Sequence, residues 1–200
     1  NLFSTSIIAL DVETGERRWH YQMVHHDVWN YDTPTAPVLM DVNVNGREVK
    51  GLFQTTKQVF VYALDRETGQ PIWPIEERPV PQTDVPGEYS SPTQPSPTKP
   101  APFVKQSFTV DDVNPWLLTP EQYERMRDRV AKAKNGTGPF GGLFIPPAVG
   151  RESVSMPGNQ GGSNWGTTAA NPEKGLVFVV NVNQVALLKL EDVTKRQRTG

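Results

Sequence analysis

Length, composition and charge exclude several classes of protein. A chain of 200 residues can bury a substantial core, as one domain or as a large part of one, and its 19 prolines and 16 glycines against 36% hydrophobic residues predict an all-β protein of short strands, turns and long loops. The net charge of -2 supplies no electrostatic attraction for nucleic acid or an anionic membrane, so we expect a small or neutral partner and no nucleic acid.

The ends of the chain and its lack of cysteine add two further constraints. Without cysteine there are no disulfides, thiolates or Cys-based zinc sites. Residues 1–9 contain neither a starting methionine nor a signal peptide core, and residues 191–200 form a polar tail. No apolar run approaches the roughly 20 residues that span a bilayer. We expect this chain to be an internal part of a longer protein.

A repeated segment is the clearest pattern in the sequence. Residues 9–19 read ALDVETGERRW and residues 63–73 read ALDRETGQPIW, so the second copy begins 54 residues after the first. This spacing is near the blade period of β-propellers, in which a unit of about 40 to 50 residues cannot bury its apolar face without a neighbour. Two unrelated hairpins that share D-x-x-T-G are the alternative. The shared positions favour stacked units.

Each copy of the repeat has the features of a β-hairpin. An apolar strand, residues 6–10 or 59–64, leads into an aspartate whose carboxylate can accept N–H groups of the turn. Gly15 and Gly69 can supply the positive φ that closes a short turn. A tryptophan then occupies the same place on both return strands, at positions 19 and 73. We expect each tryptophan to pack between neighbouring units.

A dense polar and aromatic cluster, HHDVWNYD, follows the first copy at residues 25–32. Adjacent side chains on a strand point to opposite faces, which argues against one metal ion bound by both His25 and His26. Either imidazole is equally consistent with a structural and a functional role. In the same strand geometry, Asp32 shares the face of Asn30 and Asp27 lies on the other face.

A long insert, residues 74–159, separates the second hairpin from the third. It is too long for a loop within a blade and is richest in proline over residues 79–102, which indicates a functional lid or rim. Thr119, followed by proline and then by Gln122, is a helix-start signal. We expect one amphipathic helix over residues 121–134, ended by the Asn-Gly pair at 135 and 136 and packed against the propeller.

The third hairpin is predicted over residues 165–180. Asn171 and Pro172 open its turn, and Gly175 closes the turn before an apolar strand. This hairpin is a variant of the one predicted in each of the two repeats.

Four motifs occur in a characteristic order: ALDVETGERRW at 9–19, HHDVWNYD at 25–32, TKQ at 56–58 and PIEERPVPQ at 74–82. Their order and spacing resemble those of the quinoprotein dehydrogenases related to membrane-type glucose dehydrogenase. The resemblance implies an all-β fold, the eight-bladed quinoprotein propeller. Residues 1–200 would form about three of its blades, with the long Pro-rich insert and its single helix at about 74–159.

The resemblance also implies binding residues for pyrroloquinoline quinone. Lys57 matches the basic residue that hydrogen-bonds the quinone oxygens, where a fixed ammonium stabilises the negative charge that hydride transfer produces. A solvated lysine at a strand end is the alternative. Asn164 and Trp165 match the segment that reaches the cofactor, although Trp165 is equally consistent with a core residue. The glycines before them would let the backbone approach a planar ligand.

The catalytic base of the family is an aspartate, and this chain has Asn30 at the matching position. An amide can hold a substrate hydroxyl or a calcium ion through its oxygen, but it cannot accept a proton at neutral pH. Asp27 and Asp32 are the nearby carboxylates, and Asp32 is the better substitute because it shares the face of Asn30. This departure puts activity in doubt. The ligands of the calcium or magnesium ion are expected upstream, so the metal ligands in this chain are unknown.

The implied function is oxidation of a sugar or alcohol, with electrons passed to ubiquinone or to a cytochrome. The implied location is the periplasm, and attachment to the inner membrane through regions outside this chain is compatible with it. Two alternatives remain open. One is a non-catalytic Trp-repeat β-propeller that acts as a binding or assembly scaffold, and the other is a homologue that binds the cofactor but turns over poorly.

Overall fold

Short antiparallel strands make up most of the regular structure. The structure, a computed structural model, describes residues 2–135, 142–166 and 168–193. The strands are β1 (Ser6–Leu10), β2 (Arg17–Gln22), β3 (Val38–Val44), β4 (Arg47–Thr55), β5 (Val61–Asp65), β6 (Ile75–Pro79), β7 (Thr93–Pro97), β8 (Ser153–Ser155), β9 (Thr168–Asn171), β10 (Leu176–Val179) and β11 (Ala186–Leu188). They form the three-stranded sheet β3-β4-β5 and the pairs β1-β2, β6-β7, β8-β11 and β9-β10. The predicted all-β class is confirmed.

The two copies of the repeat form the predicted hairpin turns. The Oδ1 atom of Asp11 accepts the N–H groups two and three residues later, at 3.1 and 3.0 Å, and Asp65 does the same at 2.9 and 3.3 Å. Gly15 and Gly69 both have φ of +73°, the left-handed conformation that glycine adopts without a Cβ penalty. The apolar strand of the second repeat, β5, begins at Val61 rather than at residue 59. Residues 59 and 60 instead belong to the turn between β4 and β5.

Trp19 joins the first repeat to the second. Its indole Nε1 donates a hydrogen bond to the Arg66 carbonyl oxygen at 3.0 Å. Its ring lies flat against Gly69, where an added Cβ would come within 2.7 Å of the ring atoms. The turn of the second repeat therefore needs glycine at position 69, because the Trp19 ring of the first repeat packs against it. The expectation that Trp19 packs between units is confirmed.

Trp73 occupies the corresponding place between the second sheet and the third hairpin. It packs against a core of β3, β4 and β5 residues, together with Ala170 and Val177 of the hairpin. Gly175, with φ of +61°, closes the third turn, in which Asn171 Oδ1 accepts the Lys174 N–H at 3.1 Å. Trp73 and Gly175 line one apolar cavity of about 330 Å³, so this contact is looser than that between Trp19 and Gly69.

A second hydrophobic core is formed around the segment between β2 and β3. Phe144 makes edge-on contacts with Trp29 and Tyr31, at ring-centroid distances of 5.1 and 5.7 Å. Residues from the insert and from β5 complete this core, whose buried members are Met23, Val24, Trp29, Tyr31, Phe60, Tyr62, Val80, Leu143 and Phe144. The insert is thus part of the packed body and fixes the residues between β2 and β3.

The insert contains the single predicted helix, α1 (Pro120–Lys132). Thr119 and Gln122 form the expected capping box, and Val130 is buried. The helix ends two residues earlier than predicted, because Lys134 leaves it to pair with the backbone beside β8. It packs on the 3₁₀ turn Val110–Asp112 of the insert itself. The expected helix-ending glycine at 136 and the tail beyond residue 193 lie outside the described residues.

No helix in the described part of the chain is long and apolar enough to cross a membrane.

The packing of Trp19 on Gly69 can be tested with a matched pair of variants. Gly69→Ala introduces both a positive-φ alanine and a clash with the indole, whereas Gly15→Ala, at the same φ of +73°, meets no atom within 4 Å. We expect losses in the free energy of unfolding of about 1 kcal/mol for Gly15→Ala and about 2 to 4 kcal/mol for Gly69→Ala. Urea unfolding measures both. Equal losses would contradict the proposed packing.

Candidate functional site

The cluster at residues 25–32 forms a loop, so the strand alternation predicted for it is wrong. Positive φ values of +46° at His26 and +67° at Asn30 break the extended conformation. The His25 ring Nε2 lies 3.0 Å from the Glu77 carboxylate, and the His26 Nε2 lies 2.8 Å from that of Glu88. The two imidazoles therefore contact different residues, and both contacts lead to the insert.

Asp27 holds this loop from within. Its two carboxylate oxygens accept the backbone N–H groups of Trp29 at 2.8 Å and Tyr31 at 2.6 Å. Burial raises the pKa of this carboxyl, although the backbone hydrogen bonds partly oppose the rise. Asn30 stands between the two bonded amides. Because both oxygens are engaged, the geometry favours a structural role for Asp27, the residue predicted to lie on the face away from Asn30.

Lys57 lies at the centre of the site, in the turn between β4 and β5. Thr56 and Phe60 close this turn through three hydrogen bonds: the Thr56 N–H and hydroxyl donate to the Phe60 carbonyl oxygen, and the Phe60 N–H donates to the Thr56 hydroxyl. Val59 has φ of +68°, a strained conformation for a β-branched residue that is characteristic of functional loops. The Lys57 side chain is only 7% exposed, and its ammonium contacts the Asp32 carboxylate. Lys57 is therefore not a solvated strand-end lysine.

A glycine pair from the end of the insert covers Lys57. The Gly162 N–H donates to the Lys57 carbonyl oxygen at 2.8 Å. A Cβ at Gly161 would lie 2.3 Å from Lys57 Cγ, and one at Gly162 would lie 2.0 Å from a methyl group of Val59. The glycines thus let the backbone approach the lysine turn, a different contact from the planar ligand expected for them.

The same segment also reaches the 25–32 loop. The Asn30 Nδ2 donates to the Asn159 carbonyl oxygen at 3.3 Å. Asn164 bonds within its own turn, to the Gln160 carbonyl oxygen at 2.8 Å and the Trp165 N–H at 2.9 Å. Trp165 is 77% exposed, so it is not a core residue of this chain.

Three distant parts of the sequence therefore meet at one place. Asn30 and Asp32 come from the loop after β2, Lys57 comes from the β4-β5 turn, and residues 159–162 come from the end of the insert. Asn164 and Trp165 continue this last segment. A buried ammonium beside a more exposed carboxylate and amide suits a ligand that carries carbonyl and hydroxyl oxygens. Within residues 2–135, 142–166 and 168–193, no group of three or more acidic or histidine side chains is placed to hold a metal ion.

Sequence analysis did not identify the insert residues that hold the site. Glu77, Glu88 and Gln94 contact the two histidines, but they lie in Pro-rich sequence without periodicity. Glu77 lies within the PIEERPVPQ motif at 74–82, whereas only the length and proline content of the insert signalled a role for the region of Glu88 and Gln94.

A family model matches nearly the whole chain. The model, described as PQQ, the glucose/ethanol/alcohol dehydrogenase β-propeller domain, matches residues 1–199. This chain belongs to that family. The β-propeller predicted from the repeat is thereby confirmed.

Curated members of the PQQ family align with most of the chain. It is 38% identical over 180 residues to the glycerol dehydrogenase large subunit of Gluconobacter oxydans. This alignment covers 89% of this chain and 23% of the relative. It is 33% identical over 172 residues to the quinoprotein glucose dehydrogenase of Escherichia coli, at 86% and 20% coverage. The chain thus spans less than a quarter of the length of these relatives.

Solved structures of the same fold confirm the architecture. The quinohemoprotein alcohol dehydrogenase ADHIIG of Pseudomonas putida HK5 superposes with a TM-score of 0.52 at 22% identity, covering 94% of this chain and 21% of that one. A europium-containing methanol dehydrogenase gives a TM-score of 0.52 at 23% identity, with coverage of 88% and 23%.

The contact between Gly161 and Lys57 can be tested by amine labelling. Gly161→Ala should displace the segment that covers Lys57, whereas the control Gly150→Ala, at the same φ of +74°, meets no atom within 4 Å. We expect Lys57 labelling by acetic anhydride, normalised to the 54% exposed Lys50, to rise by about tenfold or more in Gly161→Ala alone. Mass spectrometry quantifies both sites. Equal labelling in the two variants would show that Gly161 does not cover Lys57.

Proposed function

We propose that this chain supplies part of the cofactor and substrate site of a quinoprotein dehydrogenase, which oxidises a sugar or alcohol with pyrroloquinoline quinone. One observation carries the proposal: Lys57 is buried, its ammonium faces the Asp32 carboxylate, and Gly161 packs on its stem. Burial of a lysine costs free energy unless its charge has a partner. A site that keeps such a cation near a more exposed carboxylate is suited to reactions in which charge develops on oxygen.

The residues present are compatible with pyrroloquinoline quinone. An ammonium has three donors, and quinone carbonyl and carboxylate oxygens are acceptors. Lys57 would hold the quinone oxygens, while Asn164 and Trp165 would contact the cofactor from the segment that follows the glycine pair. The exposed Trp165 ring offers a surface on which a planar group stacks. When bound, the quinone would accept the hydride, which carries two electrons away from the substrate carbon, while the hydroxyl proton goes to a protein base.

The protein groups have separate tasks in this proposal. Lys57 would stabilise negative charge on the cofactor oxygen through an ammonium that its buried position already holds in place. Asn30 is exposed and would hold the substrate hydroxyl through its amide oxygen. Asp32 is the carboxylate that would take the hydroxyl proton, since its side chain is 54% exposed. Asp27 would keep Asn30 in place through the flanking backbone amides.

A calcium or magnesium ion is also part of the proposal. Both ions prefer oxygen ligands. We place those ligands in the rest of the protein, because the described residues bring no three acidic or histidine side chains together around one point.

The names of the relatives support a substrate class. The relatives include a glycerol, a glucose and a quinate/shikimate dehydrogenase by name. All of these compounds carry secondary hydroxyl groups, which supports an alcohol or sugar as the substrate here. We further propose a ubiquinone or cytochrome acceptor and a periplasmic location.

One observation favours a second candidate, a homologue that binds the cofactor but turns over slowly. Asn30 replaces the carboxylate expected at its position, and Asp32 is engaged by Lys57. A scaffold without cofactor is less well supported, because it would need neither the buried lysine nor the strained turn that carries it.

Replacing Lys57 tests the cofactor site directly. In the full-length protein, Lys57→Ala should reduce quinone retention and lower turnover by about 100-fold or more, because a preorganised charge at a developing oxyanion is lost. Lys50→Ala, which removes an exposed lysine, is the control. Bound quinone is read by absorbance and turnover with an artificial dye acceptor. Unchanged quinone content and turnover in Lys57→Ala would remove this residue from the site.

Replacing Asn30 tests the assignment of the base. If the amide limits the chemistry, Asn30→Asp should raise turnover, since general-base assistance contributes about 100 to 10,000-fold. If Asp32 already acts as the base, Asn30→Asp should change little or move the pH optimum upward, because neighbouring carboxylates raise each other's pKa. The measurement is turnover against pH for the native protein, Asn30→Asp and Asp32→Asn. High activity that survives Asp32→Asn and gains nothing from Asn30→Asp would show that the base lies elsewhere.

A further inference from the structure

A buried glutamine of the insert completes the backbone of the site loop, defined as residues 25–32. Gln94 in β7 has no exposed surface. Its Oε1 accepts the His25 N–H at 2.8 Å, and its Nε2 donates to the His25 carbonyl oxygen at 2.7 Å. One side chain thus satisfies both backbone groups of one residue, as a neighbouring strand would.

Other contacts join the same part of the insert to the site loop. The Glu77 carboxylate accepts a hydrogen bond from Thr93 Oγ1 at 2.7 Å and lies 3.0 Å from the His25 ring. The Tyr62 hydroxyl lies 3.1 Å from the Pro95 carbonyl oxygen and 3.0 Å from that of Met23. The residues on both sides of Gln94 in β7 are therefore also hydrogen-bonded, Thr93 to the residue that contacts His25 and Pro95 to Tyr62 of β5.

The contacts continue from His25 to the proposed reacting groups. Asp27, two residues later, bonds the amides on both sides of Asn30, and Asp32 follows at the Lys57 ammonium. In contrast, Lys57 is held by its own hairpin turn and by the glycine pair. The two parts of the site touch at the Lys57–Asp32 pair and at the hydrogen bond from Asn30 to Asn159, and Gln94 bonds only to the part that would hold the substrate.

We infer that Gln94 is a positioning residue, which sets Asn30 and Asp32 opposite Lys57 by fixing the His25 backbone. This inference rests on the proposed function for its effect on turnover, but the positioning itself does not need the cofactor. Displacement of a reacting group by about 1 Å lowers a rate by about 100-fold. Loss of the Gln94 bonds should therefore lower kcat while cofactor binding through Lys57 is retained.

The test uses Gln94→Met in the full-length protein, because methionine has a similar volume and makes neither hydrogen bond. The control is Gln82→Met, which removes two side-chain bonds that stay within the insert, to the carbonyl oxygens of Val80 and Ser91. Hydrogen exchange of the cofactor-free protein measures the site loop, and steady-state kinetics with a quinone titration measures kcat, KM and the cofactor Kd.

In Gln94→Met, we expect amide exchange over residues 25–32 to be about tenfold faster, since two buried hydrogen bonds are lost. We also expect kcat to fall by about 100-fold, with the cofactor Kd changed by less than about threefold. Gln82→Met should show none of these changes.

Unchanged exchange in Gln94→Met would overturn the inference, as would faster exchange with native kcat. A native protein that binds no quinone would refute the proposed function instead, and the exchange comparison would still decide whether Gln94 positions the loop.

Discussion

The burial of Lys57 beside Asp32 is the interaction on which the site depends. An ammonium inside a protein is costly to desolvate and needs a partner, and here the partner is a carboxylate from a loop 25 residues earlier in the chain. The cation can be covered only because position 161 is glycine, since any Cβ there would overlap the lysine stem. A tight turn with a left-handed valine then presents the lysine.

The propeller strands hold Lys57, and the insert holds the loop that carries Asp32. Stacking of the repeats, shown by Trp19 on Gly69, fixes the sheet from which the lysine turn projects. The insert holds the opposite loop through Gln94 and the residues that bond the two histidines. Packing between blades holds the whole fold together, whereas these contacts of the insert hold only the candidate site. The insert therefore acts as a structural support of the candidate site, a role that its length alone did not specify.

Some of this architecture could be predicted from the sequence, because it depends on local rules. The D-x-x-T-G turns, the capping box at Thr119 and the spacing of the tryptophans each follow from the conformation of a few neighbouring residues. The alternation assumed for residues 25–32 failed, because His26 and Asn30 have positive φ and the Asp27 carboxylate folds the loop onto the Trp29 and Tyr31 amides. Gln94 gave no signal at all, since its partner is 69 residues away and bonds through its backbone. Lys57, in contrast, was identified through family resemblance.

The most direct test of the central claim is a structure of the full-length protein with pyrroloquinoline quinone bound, in which the distance from Lys57 Nζ to the nearest quinone oxygen is measured. We predict a hydrogen bond of about 3 Å, with Gly161 still packed against the lysine stem and Trp165 at the cofactor. A quinone bound elsewhere, with the Lys57 ammonium paired to Asp32 alone, would contradict it.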